Sequence, residues 1–114
     1  MSSGRGELWV ETTYELIKQA ILLRKQVTAV YDGRYRELCP HRLGTKNGRQ
    51  QCLFYQFGGE SNSGVIVDGA EANWRCLPLD DLSDVVLRDG EWHSAPNYVN
   101  PGSCVDTVDV EVTL

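Results

Sequence analysis

The chain has 114 residues, 41% hydrophobic and 24% charged, ordinary values for one small globular domain that argue against collagen, wholesale disorder or two independent domains. Its net charge of −5 is unevenly spread: residues 24–49 carry seven basic side chains against two acids, while residues 50–114 carry only Arg75 and Arg88 against eleven acids. With no apolar run of the ~18 residues a bilayer needs, and a start, Met1-Ser2-Ser3-Gly4-Arg5-Gly6, that lacks a signal-peptide core, the expectation is a cytoplasmic protein with no membrane partner.

Residues 1–11 read as a tail and residues 12–114 as a single domain. A helix is predicted over residues 12–25, because Val10, Tyr14, Ile17 and Ile21 recur on one face, which Ala20 and Leu23 widen. Thr12 and Glu15 have the spacing of a capping box. Residues 26–31 and 34–39 are β-prone and flank Asp32-Gly33, a strong two-residue hairpin signal. Alternation in the second strand puts Arg34 and Arg36 on one face, directed to solvent or an anion, with Tyr35, Glu37 and Cys39 on the other.

Pro40, which has no N–H to donate, is expected to end that strand, leaving residues 41–50 as a connection with the turn pair Asn47-Gly48. A third strand over residues 51–57 is nearly continuous in apolar character, so both of its faces should be covered. Gly58-Gly59 then opens a polar loop over residues 60–72, in which Val65-Ile66-Val67 is a short strand or a contact patch. Extended chain resumes over residues 73–79, a helical turn over 80–83 and a strand over 84–88, with Asp89-Gly90 as a further tight turn. Val108, Val110 and Val112 alternate with Asp109 and Glu111, the pattern of a half-buried strand. One helix followed by five or six short strands predicts an α+β fold: an N-terminal helix and a small antiparallel β-barrel.

The basic residues Arg34, Arg36, Arg42, Lys46, Arg49 and Arg75, with Tyr31, Tyr35 and Tyr55, have the chemistry to hold a short anionic ligand. Guanidiniums grip phosphate bidentately and aromatic faces stack bases. The competing reading is a solvated face paired with the acidic second half, which would make the domain dipolar and favour head-to-tail homo-oligomers. His41 suggests acid–base chemistry, but the sequence reveals neither a nucleophile nor an orienting carboxylate for it. Asp80, Asp81 and Asp84 fit helical capping better than metal binding, since no calcium-loop pattern surrounds them. Trp74 and Trp92 fit core packing better than base stacking. Cys39, Cys52, Cys76 and Cys104 form no CxxC pair. They read as reduced, mostly buried thiols, although Cys39, Cys52 and Cys76 fall in predicted strands that can approach one another. No named enzymatic motif, metal site or cofactor signature is present.

In order, the helix end Ala20-Ile21, the strand ending at Tyr31, the stretch Arg36-Glu37-Leu38-Cys39-Pro40-His41-Arg42-Leu43-Gly44, the strand Cys52-Leu53-Phe54-Tyr55 and the segment Trp74-Arg75-Cys76-Leu77-Pro78-Leu79-Asp80-Asp81-Leu82 resemble the WYL domain family. These are ligand-sensing modules found mostly in bacterial transcription regulators and defence systems. The resemblance spans residues 17–87 and implies an SH3-like or Sm-like barrel after a short helix. It also implies a non-enzymatic regulatory module that binds a nucleotide or a short single-stranded nucleic acid. Tyr31, Arg36, His41, Arg42, Tyr55 and Arg75 stand at the matching ligand-binding positions, and Arg34 and Lys46 extend the same basic face. Three features depart from the family pattern. Trp-Tyr-Leu itself is absent, Asp81 stands where the family usually has an arginine, and no helix-turn-helix precedes the domain, so a DNA-reading output would come from a protein partner. The alternative is a stand-alone interaction or assembly module that has lost its effector site. A small hydrolase using His41 and the acids ranks below both.

Overall fold

In the computed structural model, which describes residues 11–61, 66–96 and 104–113, Thr12 caps helix α1 (Thr13–Leu23). The capping box is complete: Thr12 Oγ1 accepts from the Glu15 N–H, and the Glu15 carboxylate accepts from the Thr12 N–H. Arg24 ends the helix in the left-handed region, and its face Ile17, Ala20 and Ile21 is buried. Val10, expected on that stripe, lies outside the described residues, as do the rest of the 1–10 tail and Val65.

The strands are β1 (Gln26–Tyr31), β2 (Arg34–Lys46), β3 (Arg49–Gly59), β4 (Trp74–Pro78), β5 (Leu82–Arg88) and β6 (Thr107–Glu111). Pairing is antiparallel in the order β4-β3-β2-β1-β5, with β6 also on β2. The fold is thus α+β, a helix and a six-stranded antiparallel sheet, with β4 and β5 at the two ends of the strand path. A single 3-10 turn, Leu79–Asp81, joins those two end strands. Asp32 and Gly33, and likewise Asn47 and Gly48, have positive φ at both central positions, so two tight hairpins link β1 to β2 and β2 to β3.

Three local expectations are corrected. Pro40 does not end its strand. On the edge of β2 away from β3, β1 pairs only up to Leu38 and β6 only from Arg42, so Pro40 sits where neither neighbour needs its N–H. The register against β3 shifts between Pro40 and Arg42, which makes His41 a bulged residue and turns it into the interior. Asp89-Gly90 forms no turn: the backbone runs on irregularly, and a Cβ on Gly90 would meet the Gln26 amide. Ile66 and Val67 belong to no strand.

The reading of the cysteines is corrected as well. Cys76 and Cys104 form a disulfide with Cα atoms 5.6 Å apart, while Cys39 and Cys52 are buried free thiols. The pairing removes the argument from cysteine usage to a reducing compartment, because disulfides persist where surroundings are oxidising. No helix among the described residues is long and apolar enough to cross a membrane.

The core joins Ile17, Ala20 and Ile21 of α1 to Val27, Ala29, Leu38, Leu43, Phe54, Leu77, Leu79, Leu82, Val105 and Val112. Each fully buried side chain of this size contributes roughly 1.5–3 kcal/mol. Both faces of β3 are covered, as its apolar run predicts, since residues 52–56 are all buried. The second face is covered in part by the irregular segment after β5, where Trp92 packs on the core cluster.

Candidate functional site

The residues expected to bind a ligand fall in three places. Tyr31, Arg34, Arg36 and Arg75 gather at one end of the sheet. Pairing puts Arg75 opposite Phe54 and Gln56 opposite Leu38, so Arg75, Gln56 and Leu38 share one face, and Arg36 follows Leu38 by alternation. Arg36 is only 3% exposed. Its Nε donates to the Tyr31 carbonyl at 3.3 Å, its Nη1 donates to Gln56 Oε1 at 3.1 Å, and its Cζ lies 5.1 Å from the Tyr31 ring centroid. Gln56 is held in that orientation because its Nε2 donates to the Gly58 and Glu60 carbonyls at 3.0 and 2.8 Å.

Arg75 donates to the carbonyls of Ala72 and Trp74 at 2.7 and 3.2 Å and to Ser61 Oγ at 3.2 Å. Burial, then the charge of Arg34, lowers the pKa of Arg36; burial, then the charge of Arg36, lowers that of Arg75. Both guanidiniums remain charged at neutral pH. Nearby, a cleft of about 290 Å³ is lined by Tyr31, Asp32 and Asp81.

Most other cations carry a carboxylate partner: Arg34 with Asp32, Arg42 with Glu111, Lys46 with Asp106, Arg49 with Asp81 and Arg88 with Glu37. Arg42 and Lys46 therefore lie along the β2–β6 ladder, engaged with the acidic second half. Among the described residues, the cations without an ion pair are Arg24, at the exposed helix end, and the two guanidiniums Arg36 and Arg75.

His41 and Tyr55 belong to a third place. His41 is 0% exposed, with Nδ1 2.9 Å from the Cys39 carbonyl and Nε2 2.9 Å from Ser94 Oγ. A carbonyl only accepts, so Nδ1 carries the proton and Nε2 accepts from the serine hydroxyl. Burial pushes the imidazole down to about 4, which keeps it neutral at pH 7. It packs edge-on to Trp74 and tilted to Trp92, with centroids at 4.7 and 5.0 Å. Tyr55 is buried edge-on to Trp74, and its hydroxyl donates to the Ala70 carbonyl at 2.9 Å. Both side chains are interior packing groups, and neither offers a face to a base.

Gln56 and Ser61, which orient the two arginines, were not singled out by the sequence reading. The available signal was an amide, Gln56, set between Tyr55 and Phe57 in a largely apolar strand, because a polar group in such a place must have a partner. The described His, Cys, Asp and Glu residues include no group of three placed to hold a metal ion. Comparison of the chain with protein-family models, with curated proteins and with solved structures finds no match.

Proposed function

We propose that this chain is a non-enzymatic, WYL-like ligand-sensing module on a small Sm-like barrel, and that it binds a nucleotide-sized anion at Arg36 and Arg75. One observation carries the reading: two neighbouring guanidiniums, one almost wholly buried, donate to neutral acceptors and make no ion pair among the described residues, Asp32 acting on Arg36 only through space, while the surrounding cations are ion-paired. A buried charge without a counter-charge is costly, and two like charges side by side add to that cost. A phosphate-bearing ligand relieves both, since each planar fork can present paired N–H groups to phosphate oxygens. Tyr31, half-buried beside Arg36, supplies an aromatic surface for a planar base. Pairing of Arg42, Lys46 and Arg49 with acids takes them away from an extended phosphate track, which favours a nucleotide or very short strand over a longer one. No cofactor enters this reading, and a protein partner would carry the output.

The test is titration of a nucleoside monophosphate and of short single-stranded DNA and RNA, at low and near-physiological salt, into wild-type protein and Arg75→Ala. Saturable binding that weakens with salt and is lost in the variant supports the reading; binding unchanged in the variant removes the site. A second reading, an assembly module, is favoured by the exposure of Leu22 and Leu23, 64% and 61%, at the end of α1. It predicts concentration-dependent oligomers and no response to nucleotide.

A further inference from the structure

Arg36 and Arg75 have engaged only part of their hydrogen-bonding capacity inside the protein. Arg36 commits Nε to the Tyr31 carbonyl and Nη1 to Gln56 Oε1. Arg75 commits Nη1 to the Ala72 and Trp74 carbonyls and Nη2 to Ser61 Oγ. That leaves Arg36 Nη2 and Arg75 Nε without a protein acceptor. Among the described residues, Trp92 Nε1 is the buried side-chain polar atom that lacks a hydrogen-bond partner, so the two arginine nitrogens are open to solvent. Each is a charged donor that only water or a ligand can satisfy.

The charges around these donors set how much negative charge they can match. Asp32 pairs with Arg34 at 3.6 Å and Asp81 with Arg49 at 3.7 Å, so each carboxylate lining the adjacent cleft has a cation of its own. Arg34 and Asp32 act on Arg36 in opposite senses, as a matched pair does, and the effect of Arg34 is the larger. The positive charges of Arg36 and Arg75 are what remains after those pairs are formed. A phosphodiester inside a strand offers a single negative charge. A phosphomonoester carries about −1.5 to −2 at pH 7 and three strong acceptor oxygens.

We infer that the group recognised at Arg36 and Arg75 is a terminal phosphate, the phosphomonoester of a nucleotide or of a phosphorylated strand end, in preference to the phosphodiester inside a strand. The inference rests on the anion-binding reading above and adds the kind of phosphate. A dianion matches both guanidiniums, whereas a diester leaves one of them without a counter-charge. Three terminal oxygens can accept from both arginines at once, through Arg36 Nη2 on one side and Arg75 Nε on the other. Arg36 is 3% exposed, so its open nitrogen is reached by the end of a ligand more readily than by the middle of a chain that continues in both directions. The sugar and base then extend toward the Tyr31 ring, which lines the cleft of about 290 Å³.

Calorimetric titration at low salt tests this with two matched pairs of ligands. The first is thymidine 5′-monophosphate and its methyl ester, which keeps base, sugar and phosphorus but loses one charge and one terminal oxygen. The second is dithymidylate with a 5′-phosphate and with a 5′-hydroxyl. The expected result is binding on the order of tenfold tighter or more for the terminal phosphate in both pairs, with the ratio falling toward one in Arg75→Ala, where a single guanidinium remains. Equal binding within either pair, or tighter binding of the diester, overturns this inference and leaves the anion site standing. An unchanged ratio in Arg75→Ala assigns the preference to other residues and overturns it too. Absence of saturable binding by all four ligands overturns the anion-binding reading and this inference with it. The wild-type ratio can refute the inference without the variant, so an Arg75→Ala chain that fails to fold does not shield it.

Discussion

Arg36 Nη1 donates to Gln56 Oε1 at 3.1 Å inside the protein, a charged group satisfied by an amide where a carboxylate would ordinarily stand. The amide meets the geometric need for an acceptor without supplying a counter-charge, and Asp32 acts on the guanidinium only through space. Gln56 also bridges to Gly58 and Glu60, so one side chain ties the start of β2 to the end of β3. Replacing it with leucine strips Arg36 of an acceptor and two carbonyls of a donor. Gln56→Leu should lower stability by roughly 2–3 kcal/mol in urea unfolding. A loss below ~0.5 kcal/mol would mean that water replaces the amide without cost.

Asp81 lines the cleft beside Tyr31 and Asp32, and it pairs with Arg49 at 3.7 Å. A carboxylate there repels an anion approaching Arg36. Asp81→Arg should therefore tighten binding of a nucleoside monophosphate by about 1 kcal/mol or more, at least several-fold in Kd, with the gain shrinking as salt rises. Calorimetric titration reads both quantities, and weaker binding in the variant would place the ligand elsewhere.

His41 gives stability a defined pH dependence. Its folded pKa, about 4, lies below the ordinary 6.5, so between those values the unfolded chain binds a proton that the folded chain does not. The contribution is complete above pH 6.5 and is lost as pH falls toward 4, amounting to about 3 kcal/mol over that window. Urea unfolding at a series of pH values should show this fall in the wild type, and His41→Gln should flatten the part that lies above the carboxylate range. An equal slope in the variant would assign the fall to other groups.

The four cysteines should separate into two classes. In the oxidised native chain a thiol reagent should label none, in the denatured unreduced chain Cys39 and Cys52, and after reduction and denaturation all four. The disulfide closes a sequence separation of 28 residues, for which loop entropy assigns a stabilisation of about 3–4 kcal/mol. Labelling of Cys76 in the native chain without reductant would contradict the pairing.

Gly44 stands where β6 crosses β2. A Cβ there would run into the Thr107 carbonyl oxygen and come within 2.6 Å of Val105 Cγ1. Gly44→Ala should cost roughly 2–3 kcal/mol and preferentially raise hydrogen exchange in β6, since the neighbours that must yield are backbone and a buried valine. Wild-type exchange in β6 would show that the strand shifts without losing its pairing.

Much of the local structure was legible in the residues because its causes are local. The Thr12 and Glu15 spacing and the positive-φ pairs Asp32-Gly33 and Asn47-Gly48 each act within a few positions. The alternation around β6 holds only in part, since Val110 and Val112 are covered while Val108 is 46% exposed. Pro40 misled because its strand survives through a change of partners along β2, from β1 to β6, which no neighbouring residue announces. Of the candidate site, the arginines and Tyr31 were visible as residue types. Which of them have counter-charges was not, because Arg42 meets Glu111 and Lys46 meets Asp106 only through the pairing of β2 with β6.

The order of residues by itself determined the α+β class, the helix start, the Asp32-Gly33 hairpin, the Asn47-Gly48 turn and the concentration of positive charge in residues 24–49, since propensity, capping and turn chemistry act over short range. Tertiary structure alone decided that Cys76 meets Cys104, that His41 is a neutral interior group facing Ser94, and that Arg36 and Arg75 stand together with no ion pair among the described residues. Those outcomes depend on which distant strands lie side by side. Contact between residues far apart in the chain is fixed by the packing of the whole sheet, so no local pattern encodes it.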